Sequence, residues 1–217
     1  MKERPIIMNA ESVRAIQTGT KTQTRRVMRI QPPGENWQLA TLLFTTGSNK
    51  NVDKHQWVKM DGDSIIDEDE RLFRCSYGYV GDQLWLREPW RLVGCGEGVP
   101  STIEYRDGTR LEEPHSSDYY DWGEGGYPTR WRSPRFMPYW ASRITLEITD
   151  IRVARLQDIS EEDAIAEGAD ISMSVTGLIF GTHRGEYSRL WDLSNEKRGH
   201  GWDTNPWVWI INFQPIS

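Results

Sequence analysis

Residues 19–26 read Gly-Thr-Lys-Thr-Gln-Thr-Arg-Arg, and the interpretation of the whole chain begins with this stretch. It places an amine, a hydroxyl and a guanidinium within six residues, at Lys21, Thr24 and Arg26. These groups can serve as a base, a nucleophile and a donor that holds an anion. The alternating threonines predict an extended segment that follows a helix. The stretch therefore predicts a helix-to-strand junction at which side chains converge on a pocket.

The residues before this stretch agree with such a junction. Residues 6–8 form a short apolar run that is typical of a strand. Asn9 can cap a helix that carries Val13 and Ile16 on one face. Gly19 stands where a left-handed residue commonly ends a helix. We therefore expect a strand, a helix and a second strand within the first 28 residues.

Further strands are predicted where apolar and polar residues alternate. The clearest is residues 81–88, with a weaker candidate at 101–106. Later in the chain, two consecutive strands are expected at 144–149 and about 151–156, and a last apolar strand at 207–213.

Two helices are predicted in the C-terminal third of the chain. Ser160 can cap the first, which carries acidic residues at 161–163, where they suit the helix dipole. That helix should end at Glu167 and Gly168. The second carries apolar residues at 187, 190 and 191, which lie on one helical face.

Length and composition predict one domain with a tryptophan-rich core. The chain has 217 residues, with 11 Trp, 8 Tyr and 5 Phe. Two irregular regions, at about 31–78 and 92–138, are interpreted as long loop insertions, with glycine-rich turns at 94–98 and 121–126. The net charge of −6 argues against a general binder of duplex nucleic acid. A small or single-stranded ligand is compatible with this charge, because local charged patches matter more than the sum.

No residue pattern indicates a metal centre, a secreted protein or a membrane protein. The histidines are scattered without ligand spacing, at His55, His115, His183 and His200. Cys75 and Cys95 are interpreted as unpaired thiols in a reducing cytosol. No signal peptide and no run of about 20 apolar residues is present. We therefore expect a cytoplasmic protein that needs no metal and does not bind membranes.

The octapeptide fits the pattern Gly-x-Lys-x-x-Thr-x-Arg and in this it resembles the ASCH-domain proteins, a group of small PUA-like β-barrels. Residues 4–6, 81–88 and 205–209 extend the likeness over nearly the whole chain, towards the long ASCH-like proteins of phages and prophages. The resemblance implies an α+β fold. It would be a mixed PUA-like β-barrel with flanking short helices, a single domain over residues 1–217 that carries the two insertions.

The core also resembles the small ASCH proteins that hydrolyse N4-acylated cytosine nucleosides such as N4-acetylcytidine, for which a Lys-Thr-Glu triad is proposed. Lys21 and Thr24 fall on its first two members. The third falls on Glu167, because residues 146–149 and 159–161 match the strand and helix start that precede it. The resemblance implies acyl transfer without an organic cofactor. Neutral Lys21 would take the Thr24 proton, Thr24 would attack the acyl carbonyl, and Glu167 would protonate the leaving amine or activate the water that follows.

Three further residues are predicted to bind the substrate. Arg26 would hold an oxyanion or a substrate carbonyl, and Glu88 would join it. Trp85 is the aromatic residue that we choose to stack on the pyrimidine, with Trp90 and Tyr105 as alternatives.

Other interpretations of the same residues stay open. On local sequence alone, a solvated polar junction explains Lys21 and its neighbours most simply. A non-catalytic module that binds RNA or a modified base, or an ASCH-type ribonuclease, is the functional alternative. Single-stranded RNA would suit a stretch of arginines among aromatic residues, namely Arg130, Arg132, Arg135 and Arg143 with Trp131, Phe136 and Trp140. The oligomeric state is not defined by the sequence.

Overall fold

The computed structural model describes residues 1–34, 36–45, 51–93, 101–113, 130–171 and 181–216. In these ranges the chain is α+β, with its eleven strands in three sheets. The strands are β1 (Glu3–Ile7), β2 (Gln23–Val27), β3 (Trp37–Thr45), β4 (Asn51–Asp61), β5 (Ser64–Glu68), β6 (Gln83–Arg87), β7 (Trp90–Leu92), β8 (Ser101–Tyr105), β9 (Arg110–Glu113), β10 (Thr145–Arg155) and β11 (Trp207–Pro215). The α-helices are α1 (Ala10–Gln17), α2 (Glu161–Ala166) and α3 (His183–Asn195).

The largest sheet has five strands in the order β1-β6-β10-β11-β2. β1 pairs with β6 in parallel, and the other neighbours are antiparallel. β10 is one long strand, so the prediction of two consecutive strands at 144–149 and 151–156 is wrong. A register shift between Ile148 and Asp150 reverses the alternation of side chains between the two faces of the sheet. β11 nevertheless stays paired with β10 on both sides of this bulge.

β1 and β2 form the two edges of this sheet, and no strand pairing joins them in the described ranges. The α+β class is therefore confirmed, while closure into a PUA-like barrel stays a prediction. Arg26 bridges the two edges, because its Nη2 donates a hydrogen bond to the backbone oxygen of Ile7 at 2.8 Å.

The two regions that were predicted to be loop insertions contain additional sheets. The first holds β3, β4 and β5. The second holds β8 and β9, which form a sheet with β7 at the start of that region. β3 and β4 form a long hairpin with nine paired positions, and its Trp57 is fully buried against the main sheet. Packing of this kind is what stabilises a β-hairpin, more than the intrinsic strand preference of its residues. The predicted turns at 94–98 and 121–126 lie outside the described residues.

The main sheet is buried on both faces, and β11 contributes to both. Its Trp209, Ile211 and Phe213 belong to a cluster with α1, β1 and β6. Val208 and Ile210 alternate with them and belong to a second cluster with α2 and α3. A third cluster packs on the sheet of β7, β8 and β9. Five tryptophans are buried in the described ranges and confirm a tryptophan-rich core, namely Trp57, Trp85, Trp90, Trp191 and Trp209.

The helix caps that the sequence predicts are present. Asn9 caps α1, since its Oδ1 accepts a hydrogen bond from the Ser12 backbone nitrogen at 2.8 Å. Ser160 caps α2 in the same way through the backbone nitrogen of Asp163. Among the described helices, none has the length and apolar character needed to cross a membrane. Cys75 is a buried free thiol, whereas Cys95 and His115 lie outside the described residues.

Replacing Leu84 by Ala should lower the free energy of unfolding by about 2–5 kcal/mol, because Leu84 is fully buried in the cluster beneath α1. Leu193→Ala is the matched control, since Leu193 on α3 is 71% exposed, and its effect should stay within about 0.5 kcal/mol. Urea unfolding measures both. Equal losses of unfolding free energy in the two variants would contradict the placement of Leu84 in the core.

Candidate functional site

The octapeptide is held between the C-terminal ends of α1 and α2. The Lys21 backbone nitrogen donates to the oxygen of Ala15 at 2.9 Å, and the Thr22 nitrogen donates to the oxygen of Ala166 at 2.9 Å. Gly19 ends α1 in the left-handed region, with φ of 76°. These contacts fix the position from which the Lys21 side chain extends towards α2.

Lys21 and Glu167 form a buried ion pair. Nζ of Lys21 lies 2.9 Å from Oε2 of Glu167 and donates a second hydrogen bond to the backbone oxygen of Glu167 at 2.6 Å. Both side chains are less than 5% exposed. The next residue, Gly168, has φ of 82°, and a Cβ there would lie 3.2 Å from Cβ of Ala15 and 3.4 Å from that of Lys21. Glycine therefore permits the close approach of the two segments.

Two more side chains extend the pair into a network of four charges. Arg25 donates from Nη1 to Oε1 of Glu167 at 3.3 Å and from Nη2 to Oδ2 of Asp163 at 2.6 Å. Two cations and two carboxylates thus alternate, which compensates the cost of burying each charge. Asp163 is the most exposed of these four side chains and lies on the side that faces solvent, where Nη2 of the half-exposed Arg152 is 3.8 Å from its Oδ1.

Burial lowers the pKa of the Lys21 amine below its ordinary value of 10.5. The carboxylate of Glu167 opposes this shift, while the positive charges of Arg26 and Arg25 add to it. Lys21 therefore gives up its proton more readily than a solvated lysine. Burial also raises the pKa of the Tyr187 hydroxyl on α3 well above its ordinary value, so this neighbour of the network stays neutral.

Thr24 is buried, and no described hydrogen bond joins its hydroxyl to Lys21. Thr24 pairs with Ile211, whose side chain faces the cluster beneath α1, whereas Arg25 pairs with Ile210 on the face covered by α2 and α3. Successive side chains of a strand point to opposite faces, so Thr24 lies on the face opposite Arg25. Both hydrogen bonds of the Lys21 amine go to Glu167. Of the predicted triad, Lys21 and Glu167 meet and Thr24 does not join them.

Of the predicted substrate-binding residues, Trp85 and Glu88 lie apart from the ion pair, whereas Arg26 is near enough for its charge to lower the pKa of Lys21. Arg26 shares the Thr24 face of β2 and is occupied by the backbone of Ile7. Trp85 is 7% exposed and is covered by Tyr139, at 5.4 Å between ring centroids. Glu88 is buried and accepts two hydrogen bonds from Arg143, each 2.8 Å long. No described contact links Trp85 or Glu88 to Lys21 or Glu167.

Most of the arginine-aromatic stretch is engaged in contacts within the chain. The guanidinium carbons of Arg91 and Arg106 both lie over the ring of Trp131, at 4.9 and 4.0 Å from its centroid. Arg132 lies over the ring of Trp90 at 5.2 Å. Phe136 differs, because it is 71% exposed. The binding of single-stranded RNA by this stretch stays a prediction.

Sequence reasoning missed several members of the site. Two spacings could have found Arg25 and Asp163. Asp163 and Glu167 lie four residues apart and so share one face at the end of α2. Gln23 and Arg25 lie two residues apart on β2 and share the face towards α2. Asn212 also belongs here, but its position follows only from its pairing with Gln23.

A metal-ligand cluster and a concave pocket are two other features that would mark a binding site in the described ranges. No three His, Cys, Asp or Glu side chains lie together closely enough to hold a metal ion there. A concave pocket of about 340 Å³ lies at the opposite end of β11 from Asn212. It is lined by Gln31, Pro32, Gly34, Arg155, Gly199, His200, Thr204 and Pro206.

Comparisons with protein-family models, with curated proteins and with solved structures found no match to this chain. The resemblance to ASCH-domain proteins therefore stays a prediction.

Lys21→Met should remove a pH dependence of stability. Between the lowered pKa of folded Lys21 and 10.5, the unfolded chain binds more protons than the folded one, so this residue makes stability rise with pH. The difference in unfolding free energy, wild type minus variant, should therefore increase across that window, by at most about 1.4 kcal/mol per pH unit. Urea unfolding at several pH values measures it. A difference that falls with pH would mean that the Glu167 carboxylate raises the pKa of Lys21 by more than burial lowers it.

Proposed function

We propose that the protein is an amidohydrolase that removes the acyl group from N4-acylated cytosine nucleosides such as N4-acetylcytidine. We also propose that its five-stranded sheet is the main wall of a PUA-like barrel of the ASCH type. One observation carries the proposal. Lys21 and Glu167, which the resemblance assigns to one site, lie 146 residues apart in sequence and 2.9 Å apart in space.

The pair has the properties of a proton-transfer unit. Glu167 is a carboxylate that can accept a proton, and the lowered pKa of Lys21 makes its ammonium a better acid than a solvated lysine. The hydrogen bond between them gives a direct path for a proton from one to the other. Arg25 holds the other oxygen of Glu167 and so orients the carboxylate.

Water is the nucleophile that we favour, because Thr24 lies on the face of β2 opposite Arg25. In the first step, the water oxygen bonds to the acyl carbon and Glu167 accepts the proton that water loses. In the second step, the carbon–nitrogen bond breaks and Lys21 gives its proton to the leaving exocyclic nitrogen. Glu167 then returns a proton to Lys21 across their hydrogen bond. The products are a carboxylic acid and the unmodified cytosine nucleoside.

The experiment is hydrolysis of N4-acetylcytidine by purified protein, followed by its ultraviolet absorbance. Lys21→Met and Glu167→Gln should each lower kcat/KM by about 100-fold or more, because each removes one proton-transfer group. Lys197→Met and Glu196→Gln are the matched controls, because both residues are exposed. These two variants should keep wild-type rates.

Thr24→Val separates the two nucleophiles. Attack by water predicts that this variant keeps most of its activity, whereas attack by the Thr24 hydroxyl predicts a loss as large as that of Lys21→Met. The control is Thr22→Val, an exposed threonine two residues away. A folded wild-type protein that hydrolyses no N4-acylated cytosine would contradict the proposal and would favour a binding module or a ribonuclease.

A further inference from the structure

Three buried polar atoms beside the Lys21–Glu167 network have no hydrogen-bond partner in the described part of the chain. They are Nε2 of Gln23, Nε of Arg25 and Oδ1 of Asn212. Gln23 is 3% exposed and Arg25 is 2% exposed. Leaving one buried polar group unpaired costs about 1–3 kcal/mol, and more than about 90% of such groups in native proteins are paired.

The three atoms belong to one face of the sheet. Gln23 and Asn212 are direct partners in the β2–β11 ladder, so their side chains lie next to each other on the same face. Arg25 follows two positions along β2 and therefore shares that face. The cluster thus presents two donors and one acceptor at neighbouring positions, next to Glu167.

The Gln23 amide is held in one orientation. Its Oε1 accepts a hydrogen bond from Nη2 of Arg152 on β10 at 3.2 Å, which leaves Nε2 as the unpaired donor. Arg25 is held too, because both of its terminal nitrogens are bound to carboxylates. Fixed but unpaired donors are the arrangement that a polar ligand can complete.

We propose that Gln23 and Asn212 recognise the base edge that carries the acylated amine. This inference rests on the proposed function. Nε2 of Gln23 would donate to the ring nitrogen N3 of cytosine, and Oδ1 of Asn212 would accept from the neighbouring exocyclic N–H. Nε of Arg25 would donate to the acyl oxygen, beside the Lys21–Glu167 pair. The substrate class is then a nucleobase whose acylated exocyclic amine adjoins a ring nitrogen acceptor.

Binding of the reaction product tests this recognition without requiring catalysis. Cytidine keeps both N3 and the exocyclic N–H, whereas 3-deazacytidine lacks the ring nitrogen acceptor. Wild-type protein should bind 3-deazacytidine about 10- to 100-fold more weakly than cytidine in calorimetric titrations, because the Gln23 donor stays unpaired. Gln23→Met removes that donor and should weaken cytidine binding. The affinities of this variant for the two ligands should then agree within about twofold.

Stability separates recognition from a structural role. Gln23→Met removes a buried unpaired donor and should leave the urea midpoint unchanged or raised, whereas a structural Gln23 would lower it. Gln38→Met on β3 is the control, since Gln38 is exposed. Equal wild-type affinity for the two ligands, or no binding of cytidine, would overturn the inference. If the protein discriminates between the two ligands through Gln23 but hydrolyses no N4-acylated cytosine, only the proposed function would be overturned.

Discussion

The buried ion pair of Lys21 and Glu167 is the interaction on which the candidate site depends. Two unit charges removed from water are stable only when they are paired and hydrogen-bonded. Glu167 meets this requirement through Lys21 and Arg25, and Arg25 through Glu167 and Asp163. Lys21 and Arg25 belong to the octapeptide, whereas Asp163 lies in α2 and Glu167 caps its C-terminal end. The ion pair therefore also fixes how the octapeptide and the helix lie against each other.

The fold supplies the surroundings that give the pair its chemistry. β11 lies between two apolar clusters, and β2 beside it is an edge strand, so its side chains alternate between a core and a helix-covered face. Burial on the helix-covered face lowers the pKa of Lys21, and the edge position leaves Gln23 and Arg25 next to Asn212 and α2. A proton-transfer pair and unpaired polar atoms are thereby placed within one small region of the sheet.

Features that depend on local chemistry could be predicted from the sequence, and features that depend on distant pairing could not. The caps at Asn9 and Ser160 were predicted because a cap involves neighbouring residues only. The bulge in β10 and the β3–β4 hairpin were missed, because their register is set by partner strands. In the site, the resemblance identified Lys21 and Glu167. Asn212 could not be found, since only the β2–β11 register brings it beside Gln23.

A double-mutant cycle on Lys21 and Glu167 tests this account most directly. Urea unfolding of the wild type, Lys21→Met, Glu167→Gln and the double variant gives the coupling free energy between the two side chains. The account predicts a coupling of roughly 1–3 kcal/mol, because either single change leaves a buried charge without its partner. Additive effects within about 0.5 kcal/mol would show that the pair does not interact and would contradict the site.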